Sequence, residues 1–299
     1  MMRRLLSFTL AFALAATAAP GASTATITKP AVAKPAASAS RPKPKKEVPE
    51  VFPAVEESGP PRIQAAAAIV LDAQSGKVLY EHNADDARAV ASTQKLLTGL
   101  IIAESGGLDG QVEVELSDTY AEPSKLYLKA GETYSRARLL QILLVKSMND
   151  VARCLARDNA GSVAAFADKM NAKAAQLGMT SSNFLNPNGL PAAGQYSTAR
   201  DMSKVAMAAY RNRVIRSIVN QKNVTWRFND GRVKTFQATN QVLRKWPLCN
   251  GMKTGYTNAA GHCLISSASS GGRDVIVVIL GDKEVWNDSY RLLSWGLAS

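Results

Sequence analysis

The chain has 299 residues, 46% hydrophobic and 20% charged, a balance that fits a globular protein and excludes a wholly disordered or fibrous one. Its net charge is +12; residues 1–60 hold eight Lys or Arg against four Glu, so +4 lies there and +8 in the remainder. A basic surface suits an anionic partner, but no Lys/Arg stripe interleaved with aromatics is present, so nucleic acid is not expected.

The first 22 residues read as a secretory signal peptide. Arg3 and Arg4 precede an apolar run from Leu5 to Ala15, and Ala16-Thr17-Ala18 fits a cleavage site. A retained N-terminal anchor is the alternative, although the run falls short of the roughly 20 residues of a membrane span. Residues 23–60 are rich in Ala, Pro, Lys and Ser and read as a disordered linker. That linker is either a plain spacer or a basic arm in weak contact with an anionic cell envelope. The globular domain is assigned to residues 61–299.

Within it, residues 65–71 and 77–82, joined through Asp72-Ala73-Gln74-Ser75-Gly76, predict a hairpin. A largely apolar helix follows from Ser92. Further helices are predicted from 139, over 151–158, over 163–177 with Gly178 closing it, and from Thr198 to about Tyr210. The period then changes. Residues 223–228, 232–236, 251–256, 263–268 and 275–280 read as strands, and 290–297 as a closing helix. Strands at both ends with helices between them predict an α/β (α+β) fold. Its mainly antiparallel sheet is flanked by helices and carries an inserted helical lobe, with a cleft between the two.

Only two histidines are present, His82 and His262, so a His-rich metal site cannot be built, and Cys154, Cys249 and Cys263 show no Cys-x-x-Cys spacing. Neither metal nor cofactor is expected. Neither histidine sits in a suggestive context, so a Ser-His-Asp hydrolase is disfavoured too. Ser92 and Lys95 offer another chemistry: three apart on a helix, they share a face, and an apolar surround favours the neutral amine. A neutral lysine beside a serine is a base beside a nucleophile.

Three motifs stand in order: Ser92-Thr93-Gln94-Lys95, Ser147-Met148-Asn149 and Lys253-Thr254-Gly255. Together they resemble the S-x-x-K, S-x-N, K-T-G set of penicillin-binding proteins and serine β-lactamases. The blocks 253–263, 194–202 and 185–190 further resemble the D-alanyl-D-alanine carboxypeptidase family of low-molecular-mass penicillin-binding proteins. The likeness covers residues 63–299 and implies a β-lactamase/transpeptidase-like fold. It also implies an exported enzyme, periplasmic or wall-associated, that acts on peptidoglycan stem peptides through an acyl-enzyme on Ser92. Penicillins would be covalent inhibitors. The implied roles are Lys95 as base, Ser147 as proton carrier to the departing D-alanine, and Asn149 as a holder of the substrate amide. Lys253 and Thr254 would hold the terminal carboxylate, and Gly255 would give the substrate room. The Ser92 and Tyr256 N–H groups would form an oxyanion hole.

Several positions depart from the family pattern. Asn188 stands where many relatives carry histidine, Met148 replaces a small residue and is expected to narrow the cleft, and Thr239 lies near the position of a carboxylate-binding arginine. Ser182 takes the place of the glutamate in the E-x-x-L-N loop of class A β-lactamases, so penicillin is expected to be released slowly. The chain stops at Ser299, before the C-terminal β-domain and anchor of many carboxypeptidases, a shorter form that also resembles DD-endopeptidases. Cleavage of cross-links is therefore the alternative activity, and a silent wall-binding module the alternative class. The three cysteines are expected to be free and buried, with a Cys249–Cys263 disulfide as the alternative.

Overall fold

The computed structural model describes residues 59–299, which lie within one compact unit spanning residues 47–299. The signal peptide and linker assigned to residues 1–60 fall almost wholly outside the described residues.

A five-stranded sheet in the order β2-β1-β9-β8-β7 forms the spine. It is made from both ends of the domain: β1 (Ala67–Asp72) and β2 (Val78–His82) from one, β7 (Cys249–Thr257), β8 (Gly261–Ser270) and β9 (Arg273–Asp282) from the other. All four neighbouring pairs are antiparallel, with Ile69 opposite Val278 and Ile265 opposite Val278 on the other side. At the β1–β2 turn the Asp72 carboxylate accepts from the N–H groups of Gln74 and Ser75, and Gly76 takes φ +78°. That is an Asx-type turn closed by the residue that tolerates a left-handed backbone.

Residues 67–71 are all buried, so helices cover both faces of the sheet. The closing helix α8 (Val285–Ala298) reaches it through Gly296, where an added Cβ would lie 2.9 Å from Val275 and 3.1 Å from Val70. Helix α5 (Ala199–Arg211) packs against β1 and β9; its Thr198 side chain caps it by accepting from Asp201 N–H. At the centre lies α1 (Lys95–Glu104), buried on every side from Lys95 to Ile102, as expected of a helix that is apolar all round.

The inserted lobe contains α2 (Arg136–Lys146), α3 (Asn149–Ala160) and α4 (Val163–Gln176). Two small hairpins accompany it, β3 (Gln111–Glu113) with β4 (Thr133–Ser135), and β5 (Asn223–Arg227) with β6 (Val233–Gln237). The pairs β3–β4 and the short helices α6 (Arg213–Val219) and α7 (Gln241–Lys245) are absent from the sequence reading. They are too short to show a period, and the two helices are started by Asn212 and Asn240 side chains that accept from the following N–H groups.

Candidate active site

The helix at Ser92 does not begin as an α-helix. Residues 91–94 form a tight 3-10 turn that runs into α1, and Ala91 takes φ +48° ahead of it. Two glycines press on this turn: a Cβ on Gly189 would lie 2.0 Å from the Ala91 carbonyl oxygen, and one on Gly255 would lie 2.8 Å from Ser92 N. In a 3-10 turn residues i and i+3 eclipse, so Lys95 sits directly over Ser92, with Nζ 2.8 Å from Oγ.

Lys95 is fully buried and its amine has three neighbours: Ser92 Oγ, Asn149 Oδ1 at 2.7 Å and the Asn188 carbonyl at 2.6 Å. Two of these can only accept, whereas the serine hydroxyl can also donate. The amine donates to all three and the Ser92 hydroxyl reaches the Asn188 carbonyl at 3.2 Å; once neutral, the amine can turn its lone pair to the Ser92 hydroxyl instead. Burial pushes Lys95 well below the ordinary lysine range, the positive charge of Lys253 adds to this, and Asp150 opposes it.

A second serine–lysine pair faces the first across the cleft. Ser147 ends α2 in the left-handed region at φ +70°, and its Oγ accepts from Lys253 Nζ at 2.7 Å. Lys253 is 1% exposed, also donates to the Thr254 carbonyl, and is pushed down to about 7 by burial. Thr254 Oγ1 donates to Thr239 Oγ1 at 2.7 Å. Ala91 and Ser147 thus both hold strained backbone, at a cost of about 1–3 kcal/mol each, beside the paired serines.

These groups surround a cleft of about 470 Å³, a size that suits a small ligand. Of the predicted site residues, Ser92, Ser147, Asn149, Thr254, Gly255 and Tyr256 line it, while Lys95 and Lys253 stand just behind, each bonded to a lining serine. Lys146, Leu190, Thr239 and Trp286 are among the other residues of its wall. Tyr256 is 56% exposed and packs on His262 with ring centroids 4.6 Å apart.

Two expectations need correction, those for Gly255 and Met148. The space that Gly255 preserves is taken by the backbone of residues 92 and 93, because β7 passes against that turn. Asn149 lines the cleft with Oδ1 accepting from Lys95 and Nδ2 donating to the carbonyls of Glu122 and Pro123, which leaves one acceptor lone pair on Oδ1. Met148 does not narrow the cleft, being 3% exposed and packed into the core. Ser182 is bonded to Ser197 and Asp201 beneath α5 and is not among the cleft-lining residues. The Asn188 side chain accepts from Leu190 N–H within its own turn, and only its carbonyl serves the Lys95 amine. All three cysteines are free and buried; Cys249 stands opposite Ala268 and Cys263 opposite Gly255, too far apart in register to bridge.

The sequence reading did not anticipate Asp150 as part of the site. Fully buried, it accepts from the N–H groups of Leu126 and Leu128 and so ties the 122–128 loop to the first turn of α3. Its signal in the chain was a carboxylate immediately after Asn149, legible only as a residue at a helix start.

Residues 54–284 match the family profile described as D-alanyl-D-alanine carboxypeptidase. The carboxypeptidase DacB2 of Mycobacterium tuberculosis is 34% identical, over 77% of this chain and 81% of its own length. A D-alanyl-D-alanine endopeptidase of Escherichia coli is 32% identical over 79% of this chain and 78% of its length. The carboxypeptidases DacF of Bacillus subtilis and DacC of E. coli are longer, and the chain covers 57% and 65% of them. A solved D-alanyl-D-alanine carboxypeptidase from M. tuberculosis superposes with a TM-score of 0.77 at 32% identity, over 84% of this chain and 97% of that one. The chain belongs to the D-alanyl-D-alanine carboxypeptidase family of serine peptidases.

Proposed function

We propose that this protein is an exported carboxypeptidase that removes the terminal D-alanine from peptidoglycan stem peptides. The observation that carries the reading is the pair of buried Lys–Ser couples, Lys95–Ser92 and Lys253–Ser147, converging on one cleft. Ser92 Oγ attacks the carbonyl between the two D-alanines while Lys95 Nζ takes its proton. The tetrahedral oxyanion rests on the N–H groups of Ser92 and Tyr256, a device worth about 3–4 kcal/mol. As the C–N bond breaks, Ser147 gives its proton to the leaving amine and recovers one from Lys95, which thereby returns the proton it took from Ser92 and is neutral again, while Lys253 keeps its charge. Water then attacks the acyl carbon and loses a proton to Lys95, which passes it to Ser92 Oγ as the ester bond breaks, freeing the shortened peptide and restoring both groups.

The terminal carboxylate lies against the Ser147 and Thr254 hydroxyls, with the Lys253 charge directly behind them. A β-lactam acylates the same serine. Its adduct persists because Ser182, which takes the glutamate's place, is bonded away from the cleft.

Labelling with a fluorescent penicillin tests the nucleophile: the wild type gains a covalent label and Ser92→Ala gains none. A label that survives that substitution removes Ser92 from the mechanism. The second reading is cross-link cleavage, favoured by the match to most of the E. coli endopeptidase. Digestion of purified muropeptides separates the two. Free D-alanine from pentapeptides marks the carboxypeptidase, and conversion of cross-linked dimers to monomers marks the endopeptidase.

A further inference from the structure

A second cavity, of about 620 Å³, opens between the 125–129 loop and the β5–β6 hairpin. One continuous segment reaches both cavities: Pro123 and Ser124 line the catalytic cleft, and Lys125, Leu126, Tyr127 and Lys129 line the groove. Its walls combine three rings, Tyr127, Phe228 and Phe236, with four cations, Lys125, Lys129, Arg232 and Lys234. Each of three cations lies by a ring: Lys125 is 5.7 Å from the Tyr127 centroid, Arg232 4.7 Å from Phe228 and Lys234 4.9 Å from Phe236. Asp230 pairs with Arg232, and Glu132 accepts from Lys129 N–H and the Tyr134 hydroxyl. Among the described residues no carboxylate forms an ion pair with Lys125, Lys129 or Lys234.

Tyr127 is the telling residue. It is 72% exposed and sits at φ +62°, a region that a bulky side chain occupies only under constraint. The constraint is visible. Leu126 and Leu128 on either side are buried, and their N–H groups both donate to Asp150, at 3.0 and 3.2 Å. The chain is pinned at both neighbours so that an aromatic ring stands in solvent at the rim of a basic groove. Strain of this kind persists where surrounding structure over-determines it, which is characteristic of ligand clamps.

We propose that this groove is a second substrate site, taking an acidic glycopeptide segment of the same peptidoglycan strand beyond the peptide being cleaved. Ring faces of Tyr127, Phe228 and Phe236 pack on the apolar faces of sugar rings, and Lys125, Lys129 and Lys234 pair with peptide carboxylates. The inference rests on the carboxypeptidase reading for the identity of the strand. Continuity with the cleft favours that strand over an unrelated polyanion.

The test uses the full chain and two variants, Lys129→Ala/Lys234→Ala and Tyr127→Gly, the latter accepting the left-handed backbone. Binding to purified polymeric peptidoglycan is measured by co-sedimentation, and turnover on a short acylated peptide ending in D-Ala-D-Ala is measured alongside. Polymer affinity is expected to fall about five- to tenfold in each variant, because each loses exposed charge or stacking contacts, while short-peptide kcat/KM stays within about twofold. Undiminished polymer binding overturns the proposal. So does competition by polyphosphate or anionic phospholipid vesicles that bind the wild type more tightly than the polymer does. If the wild type leaves the short peptide uncut, the carboxypeptidase reading fails, and the sedimentation arm still reports on the groove.

Discussion

The cleft and the groove use the same residue type to opposite ends. Lys95 and Lys253 are sealed from water, and each meets a serine. Lys129 and Lys234, on the groove, are exposed. Removing an ammonium from water costs several kcal/mol unless it is paired, and a lone buried lysine answers by giving up its proton. Burial therefore favours the neutral form of a lysine, most strongly at Lys95, while Lys253 at about 7 still carries charge near neutral pH. Exposure leaves the charge intact, and water and salt screen it. One segment serves both regions: Asp150 pins the loop that presents Tyr127, and Asn149 beside it holds Lys95.

The largest effect should come from the buried side. Lys95→Ala removes the base and should slow acylation by fluorescent penicillin about 10²–10⁴-fold near neutral pH. Acidification should mimic it, since the neutral amine is lost as pH falls through the depressed Lys95 pKa. Labelling that is undiminished in Lys95→Ala would assign the base elsewhere.

Asp150→Asn tests the link between the regions. The amide can accept from one of the Leu126 and Leu128 N–H groups but presents N–H to the other, at a cost of about 1–3 kcal/mol. Thermal melting should fall, and both polymer binding and acylation should weaken together. Loss of one without the other would mean that the two sites are braced separately.

Lys253 carries a sign that can be checked. Its folded value of about 7 lies below the ordinary 10.5, so between these limits the unfolded chain binds more protons than the folded one. Stability attributable to this group therefore rises with pH across that window. Lys253→Met should flatten the rise of Tm between pH 7 and 9. An unchanged slope would show that Lys253 is charged in the folded protein. At the same time substrate KM should climb above pH 7 in the wild type, as the charge behind Ser147 and Thr254 disappears.

The smallest effect is expected from salt. Raising ionic strength from about 0.05 to 0.3 M shortens the screening length and should weaken binding to polymeric peptidoglycan a fewfold, leaving short-peptide turnover nearly constant. Equal salt sensitivity in both assays would erase the distinction between the sealed and the open lysines.

Much of this molecule was legible in its chain. The β1–β2 hairpin, the three long C-terminal strands and the longer helices announce themselves through period and caps, because those signals are local. Ser92-x-x-Lys95, Ser147-x-Asn149 and Lys253-Thr254-Gly255 likewise named residues that the structure brings to one cleft. Short elements such as α6, α7 and β3–β4 were not legible, because they hold their shape through neighbours and caps and have no periodicity of their own.

Tertiary structure decided the rest, for a physical reason common to every case: burial and approach are properties of segments distant in sequence. Only the closure of residues 188–189 and strand β7 onto the Ser92 turn makes that turn 3-10 and seals Lys95 from water. Only there does Gly255 prove to be a contact with the residue 92–93 backbone. Only packing of the 122–128 loop onto α3 engages the Asn149 amide and drives Tyr127 outward. Residue identity determined which groups could react; the burial around each lysine, set by the fold, determined how strongly its neutral form is favoured.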